Sequence, residues 1–313
     1  MSFKSLFKTI IKTSSITSLG ISSLVAFTSP SKAENFNMKA CPASGSADAT
    51  LDKIIALGEE CLHTPDQYKL TIYEMGLCKT DPISTGVFLK EANGCVQTML
   101  STSGTEVDLA PGNSSEKTAT LPSASSRPVS GSYPHAYVLL SNGFKMKGTY
   151  QLADGTTYYS KELTDAYGTF GAADKTLSAA AEHTDLVDNM YFGEDENGWD
   201  GLMSATAMPG TGTVSALLLK ECVDDTCLGA SAVASSQREV KRLLGVFSNT
   251  GSPVEILDST NGIEVQLIVK ADPNDPANSG GGYLLIGWDQ GDGNGFDLRM
   301  FGSAPFKPKF TTF

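Results

Sequence analysis

Two acidic, glycine-rich segments carry the residue types best suited to binding chemistry. One is Glu194-Asp195-Glu196-Asn197-Gly198-Trp199-Asp200, and the other runs from Asp289 through Gly291, Asp292, Gly293, Asn294 and Gly295 to Asp297. Calcium takes six to eight oxygen ligands on a loop able to curl, and alternating Asp, Asn and Gly supply both. Asp289, Asp292, Asn294 and Asp297, together with Asp195, Asn197 and Asp200, are therefore the candidate metal ligands, with calcium the expected ion. The second segment lacks the DxDxDG order and the Glu at the twelfth position, so it is not an EF-hand. Its alternative role is a hairpin tip, where Gly supplies positive φ and Asp keeps the edge solvated.

The chain's two tryptophans, Trp199 and Trp288, each flank one of these segments. An indole face beside Asp and Asn offers a pyranose a flat apolar surface and acceptors for its hydroxyls. A place in the core is the competing use of a tryptophan. Other catalytic patterns are missing. No GxSxG, HExxH, P-loop or GxGxxG occurs, and His63, His135 and His183 stand apart in the chain. Scattered histidines of this kind are expected to be structural or surface residues. Paired carboxylates can hydrolyse glycosides unaided, but 35 Asp plus Glu make close pairs inevitable, so that signal selects nothing.

Six cysteines, Cys41, Cys61, Cys78, Cys95, Cys222 and Cys227, form an even set without CxxC or a His-Cys cluster. That reads as disulfides in an oxidising compartment, not as a redox or zinc site. Cys222 and Cys227 follow the run Val214 to Lys220 and precede Leu228 to Val233, which suits a hairpin tip clamped by its own bridge. The other four allow three pairings.

The start of the chain agrees with export. Lys4, Lys8 and Lys12 precede a short apolar stretch from Ile16 to Phe27, and Ser31-Lys32-Ala33 offers small residues to a signal peptidase. A dozen residues fall short of the roughly 20 that span a bilayer as a helix. Residues 1–33 are thus read as a signal peptide. Setting aside its four lysines turns the net charge of −12 into −16. Such an acidic chain has no electrostatic basis for binding nucleic acid. No later segment is apolar enough to span as a helix. The polar Thr311, Lys309 and Lys307 also lack the alternation of a terminal outer-membrane strand.

These residues must be positioned by a mainly β framework. Leu51 to Leu62 has one apolar helical face, with Thr50 or Asp52 as N-cap. Tyr68 to Leu77 alternates as a strand. Gly86 to Lys90 and Cys95 to Leu100 flank Glu91-Ala92-Asn93-Gly94 as a hairpin. Ala136 to Leu140, Phe144 to Leu152 and Thr156 to Tyr159, separated by Asn142-Gly143 and Asp154-Gly155, predict a three-stranded meander with type I′ turns. Val254 to Leu257 and Ile263 to Val269 flank Asn261-Gly262 as a further hairpin. Tyr283 to Trp288 and Phe296 to Phe301 do so around the second acidic segment. Asp174 to Val187 is spaced as a helix. Ser236-x-x-Glu239 resembles a capping box, although Val240, Arg242, Leu244 and Val246 also alternate as a strand.

The expected fold is a disulfide-bonded antiparallel β-sandwich or jelly-roll-like protein with a few short helices. Residues 34–100 form a small cysteine-containing region and 101–132 a Ser/Thr/Pro-rich linker or long loop. Residues 133–313 form the sandwich, and the two structured regions are free to share one core. The expected function is that of an exported cell-surface structural protein. It would self-assemble into a filament, pilus-like fibre or surface layer by β-strand addition, using residues 34–48 or the terminal KPKFTTF. The alternative is a calcium-dependent module binding surface glycans, or an extracellular glycoside hydrolase.

Overall fold

The structure is a computed structural model that describes residues 38–110, 127–165, 168–187, 201–208, 212–272, 274, 280–289, 295–304 and 306–313. The N-terminal part holds α1 (Leu51–Ile55), β1 (Glu60–His63), β2 (Gln67–Cys78) and β3 (Val96–Asp108). Then follow β4 (Gly131–Tyr133), β5 (His135–Ser141), β6 (Gly143–Lys147), β7 (Thr149–Gln151), β8 (Thr157–Asp165), β9 (Gly168–Asp174) and β10 (His183–Leu186). The remainder is β11 (Leu202–Met208), β12 (Gly212–Leu219), β13 (Arg242–Ser248), β14 (Val254–Ile256), β15 (Ile263–Ile268), β16 (Gly282–Asp289), β17 (Gly295–Ser303) and β18 (Lys307–Thr312). The protein is mainly antiparallel β, as the alternating runs and turn residues lead one to expect.

In the larger, eight-stranded sheet β2 is central. It pairs with β3 along one edge and with β5 and then β6 along the other; β13, β12 and β11 extend the sheet beyond β5, and β10 beyond β6. Both faces of its middle are covered. Val138, Leu140, Ala216, Leu218, Leu243 and Phe247 enter one core, against which Val265 and Leu267 of β15 pack. Tyr137, Leu139, Leu217, Leu219, Leu244 and Val246 enter another, shared with Phe88, Cys78, Cys222 and Cys227. Strands buried on two faces read as continuous apolar runs, which is why β5, β12 and β13 show little polar alternation.

β5, β6 and β7 form one extended line that leaves the larger sheet for the six-stranded one, ordered β1-β16-β17-β9-β8-β7. The crossing is at Gly148. Its N–H donates to Ser160 Oγ at 3.0 Å, and its carbonyl accepts from Ser160 N–H at 2.9 Å. The smaller sheet curls until one short segment lines both its edges. Leu62 of β1 exchanges bonds with Lys39 and Cys41, while Gln151 of β7 bonds Gly45 and Ser44. Inside lie Ile54, Tyr150, Tyr158, Leu284, Ile286, Leu298 and Phe301.

Several local expectations are overturned by tertiary pairing. The helix begins at its Thr50 N-cap but ends at Ile55, because Gly58 (φ 111°) and Glu59 (φ 68°) turn the chain into β1. Gly86 to Lys90 is not a strand. A 3-10 turn, Glu91–Asn93, ends at Gly94 (φ 58°) inside a longer β2–β3 connection. Asn142-Gly143 does not reverse the chain: Gly143 lacks positive φ, and β5 and β6 run the same way along β2. Asp154-Gly155 does close a hairpin, β7–β8, with Gly155 at φ 90°.

Asn261-Gly262 is not a hairpin tip, since β14 pairs with β4 and β15 with β18. The β16–β17 hairpin forms as expected. Residues 174–187 hold the end of β9 and the whole of β10 instead of a helix. Beyond Ser236 a 3-10 turn, Gln237–Glu239, leads into β13, and Glu239 accepts from Ser235 instead of Ser236. β3 continues to Asp108, within the expected linker, of which 111–126 lie outside the described residues. The two regions share one core, since Tyr68, Leu70 and Ile72 of β2 pack with Val138, Leu140 and Leu243.

Candidate functional site

Of the predicted ligands, Asp195, Asn197, Trp199, Asp200, Asp292 and Asn294 lie outside the described residues. Trp288 and Asp289 end β16, in register with Phe296 and Gly295. Asp297 is held within the fold. Its Oδ1 accepts from the Tyr158 hydroxyl and from Leu298 N–H, and its Oδ2 pairs with the Lys175 ammonium at 2.8 Å. A cation there would have to displace Lys175.

All six cysteines are bonded, as Cys41–Cys61, Cys78–Cys95 and Cys222–Cys227. The 222–227 loop is a 3-10 turn (Asp224–Cys227), and only a single bridge, Leu219 to Val233, joins its flanks. The hairpin expected there is thus rudimentary. Among the described residues no group of three or more His, Cys, Asp or Glu is placed to hold a metal, and no helix is long and apolar enough to cross a membrane.

Two of the three histidines meet at Phe301. The His63 ring is edge-on to Tyr150 and Phe301, at 5.8 and 5.7 Å. Burial pushes its pKa from 6.5 down to about 4. His183 is held below the ordinary histidine value, again by burial, against the opposing charges of Asp185, Glu162 and Glu182. Its Nε2 crowds Gly171, where a Cβ would lie 2.2 Å away. Nε2 of His63 makes no hydrogen bond among the described residues, whereas the Phe301 backbone faces His183 and partly offsets its burial. His135 lies elsewhere, with Nδ1 at 2.7 Å from Ser248 Oγ.

The most polar buried arrangement is one that spacing did not reveal. Glu74 projects from β2 into the apolar core formed by Tyr137, Leu139, Leu244 and Val246, where it is fully buried. The β2 registers with β3 and β5 both shift at this point. Glu74 Oε1 accepts from the Tyr137 hydroxyl at 2.7 Å and the Lys90 ammonium at 3.2 Å, whereas Oε2 has no partner among the described residues. Lys90 descends from the Cys78–Cys95 loop. It also reaches Asp224 Oδ1 at 2.9 Å and Asp225 Oδ1 at 3.2 Å, both in the Cys222–Cys227 loop. Gln97 donates to the same Asp224 oxygen at 3.1 Å.

Asp224 has φ 52°, a left-handed backbone that non-glycine residues adopt at a cost of about 1 kcal/mol or more. Burial pulls the Lys90 pKa down, but Asp224, Glu74 and Asp225 together outweigh it and raise the pKa above the ordinary lysine value. The Lys90 hydrogen bond holds Asp224 below the usual carboxylate range. Burial drives the Tyr137 phenol up, helped by Glu74. The cluster therefore clamps two disulfide loops to a buried acid, with an amine and carboxyl groups in contact.

Its members were hidden because each looks ordinary alone. Glu74 is one acid in a strand, and Lys90 and Asp224 are 134 residues apart. The only shared clue is that Lys90 and Asp224 each fall between the two cysteines of a pair. Comparison with protein-family models, curated proteins and solved structures finds no match to this chain.

Proposed function

We propose that the protein is an exported, disulfide-stapled structural subunit of a cell-surface assembly, and that copies associate by strand addition at the outer edge of β15. The basic, cleavable-looking leader and three disulfides support export. The observation that carries the assembly reading is the contrast between β15 and the other sheet edges. Exposed edges invite pairing, and proteins blunt them with bulges, coverage, charge or brevity.

The edges of β1 and β7 are covered by residues 39–45. β3 is interrupted by two register shifts and β11 by one. β4 and β14 have only three residues each, β10 has four, and β18 carries Lys307, Pro308 and Lys309. β15 instead keeps an unbroken six-residue register with β18, and among the described residues no strand pairs with its other edge. Its sequence, IEVQLI, has one charge, high β propensity and no proline.

This moves the assembly surface away from the chain ends. Of residues 34–48, 34–37 lie outside the described residues, while 39–45 and the terminal KPKFTTF pair within their own chain. The alternative, a calcium-dependent glycan-binding module, is weakened by the engagement of Asp297 with Lys175 and Tyr158. Sedimentation velocity on the mature chain over a wide concentration range tests the proposal. The wild type should form oligomers, and Glu264→Lys with Gln266→Lys should return it to monomer. A wild type that stays monomeric refutes it.

A further inference from the structure

We infer that Lys90 and Asp224 condense into an internal amide bond, covalently joining the Cys78–Cys95 loop to the Cys222–Cys227 loop. Lys90 Nζ lies 2.9 Å from Asp224 Oδ1, and the fold restrains both partners. Cys95 N–H binds the Lys90 carbonyl at 3.0 Å, and Gln97 binds the Asp224 carboxylate. Holding two reacting groups in contact is worth effective molarities on the order of 10⁵–10⁸ M. That advantage turns an otherwise unfavourable condensation into a feasible one.

Glu74 is the group that moves the proton. It touches the reacting nitrogen at 3.2 Å, while its buried Oε2 has no partner among the described residues. In the reaction, the Lys90 ammonium passes one proton through Glu74 to Asp224, and the resulting amine attacks Cγ of the neutral carboxyl. The Nζ–Cγ bond forms and one Cγ–Oδ bond breaks. The departing oxygen leaves as water with two protons, one delivered through Glu74 and one directly from the nitrogen. Ammonium plus carboxylate become amide plus water, and Glu74 ends as it began.

Among the three acids around Lys90, Asp224 is nearest. Asp225 is 81 % exposed and solvated, and Glu74 is held by Tyr137 in the core. Because a proton is moved within the cluster and none is exchanged with solvent, the rate should be flat across neutral pH. The carboxylates that keep Lys90 charged make the neutral amine scarce, so the bond should accumulate after folding instead of during it.

Mass spectrometry of the mature chain, with every cysteine reduced and alkylated, is the test. After storage at neutral pH the wild type should be lighter than its sequence by one water. Its tryptic digest should hold one branched peptide joining Lys90 to Asp224, uncut after Lys90. Lys90→Arg should keep its full mass. Asp224→Asn should form the same link by losing ammonia, and Glu74→Gln should slow the reaction at least tenfold. A folded wild type that keeps its full mass after prolonged storage overturns the inference, and so does a link from Lys90 to Glu74 or Asp225. Neither result bears on assembly through β15, which the sedimentation experiment decides separately.

Discussion

Lowering the pH should destabilise this protein through His63, and replacing that residue by Phe should remove that contribution. The imidazole lies among Tyr150, Phe301 and neighbouring apolar groups, with its pKa lowered from 6.5 to about 4 by burial. A base whose proton affinity is depressed by folding stabilises the native state fully above its unfolded pKa. That contribution is lost as pH falls through the folded one. The window therefore runs from about pH 6.5 down to about 4. At about 1.4 kcal/mol per pH unit, the loss comes to about 3 kcal/mol, a large share of the roughly 5–15 kcal/mol typical of a folded protein.

Urea denaturation at a series of pH values, followed by tyrosine and tryptophan fluorescence, would measure it. Wild type and His63→Phe should have similar midpoints at pH 7, because a phenyl ring keeps the edge-on contacts and removes a buried nitrogen that makes no hydrogen bond. Their stabilities should then separate by about 3 kcal/mol on reaching pH 4. Carboxylates and His183 titrate in both proteins and cancel in the comparison. Parallel loss of stability in the two proteins would refute the reasoning.

Other perturbations test the framework around this point. Replacing Cys41 and Cys61 together by Ala should cost about 3 kcal/mol in chemical denaturation, since the bridge closes a 20-residue separation and anchors the segment that lines both edges of the smaller sheet. Gly148→Ala places a Cβ 2.4 Å from Phe301 Cδ1 at the crossing between sheets. It should destabilise by about 1–3 kcal/mol, seen as a lowered thermal midpoint. Tyr137→Phe removes a donor from fully buried Glu74 and should cost about 1–2 kcal/mol in denaturant titration.

Much of the β framework was legible because alternation and turn residues act locally. Tyr68, Leu70 and Ile72 predicted β2, and the Trp288–Phe296 hairpin and the Asp154-Gly155 turn follow from neighbouring residues. The failures share a cause. Asn142-Gly143 and Asn261-Gly262 have the composition of hairpin turns, yet the strands beside them found partners far away in the chain. Cys95 to Leu100 predicted the start of β3, but its second half was concealed by Ser101 to Thr105, because an edge strand facing water need not carry alternating apolar residues.

By itself, the sequence determined the β class, the even cysteine set, the basic N-terminal stretch and the strongly acidic charge, because each depends on composition or on residues a few positions apart. Tertiary structure alone decided how the other four cysteines pair, which strand edges stay unpaired among the described residues and which polar groups meet under the disulfide loops. Asp297 illustrates the division. Its residue type and setting suggested a cation ligand, but the fold turns its carboxylate onto Lys175 and Tyr158, 122 and 139 residues away. Glu74, Lys90 and Asp224 show the converse, since burial forces a charged group to find partners wherever the chain can bring them, regardless of spacing.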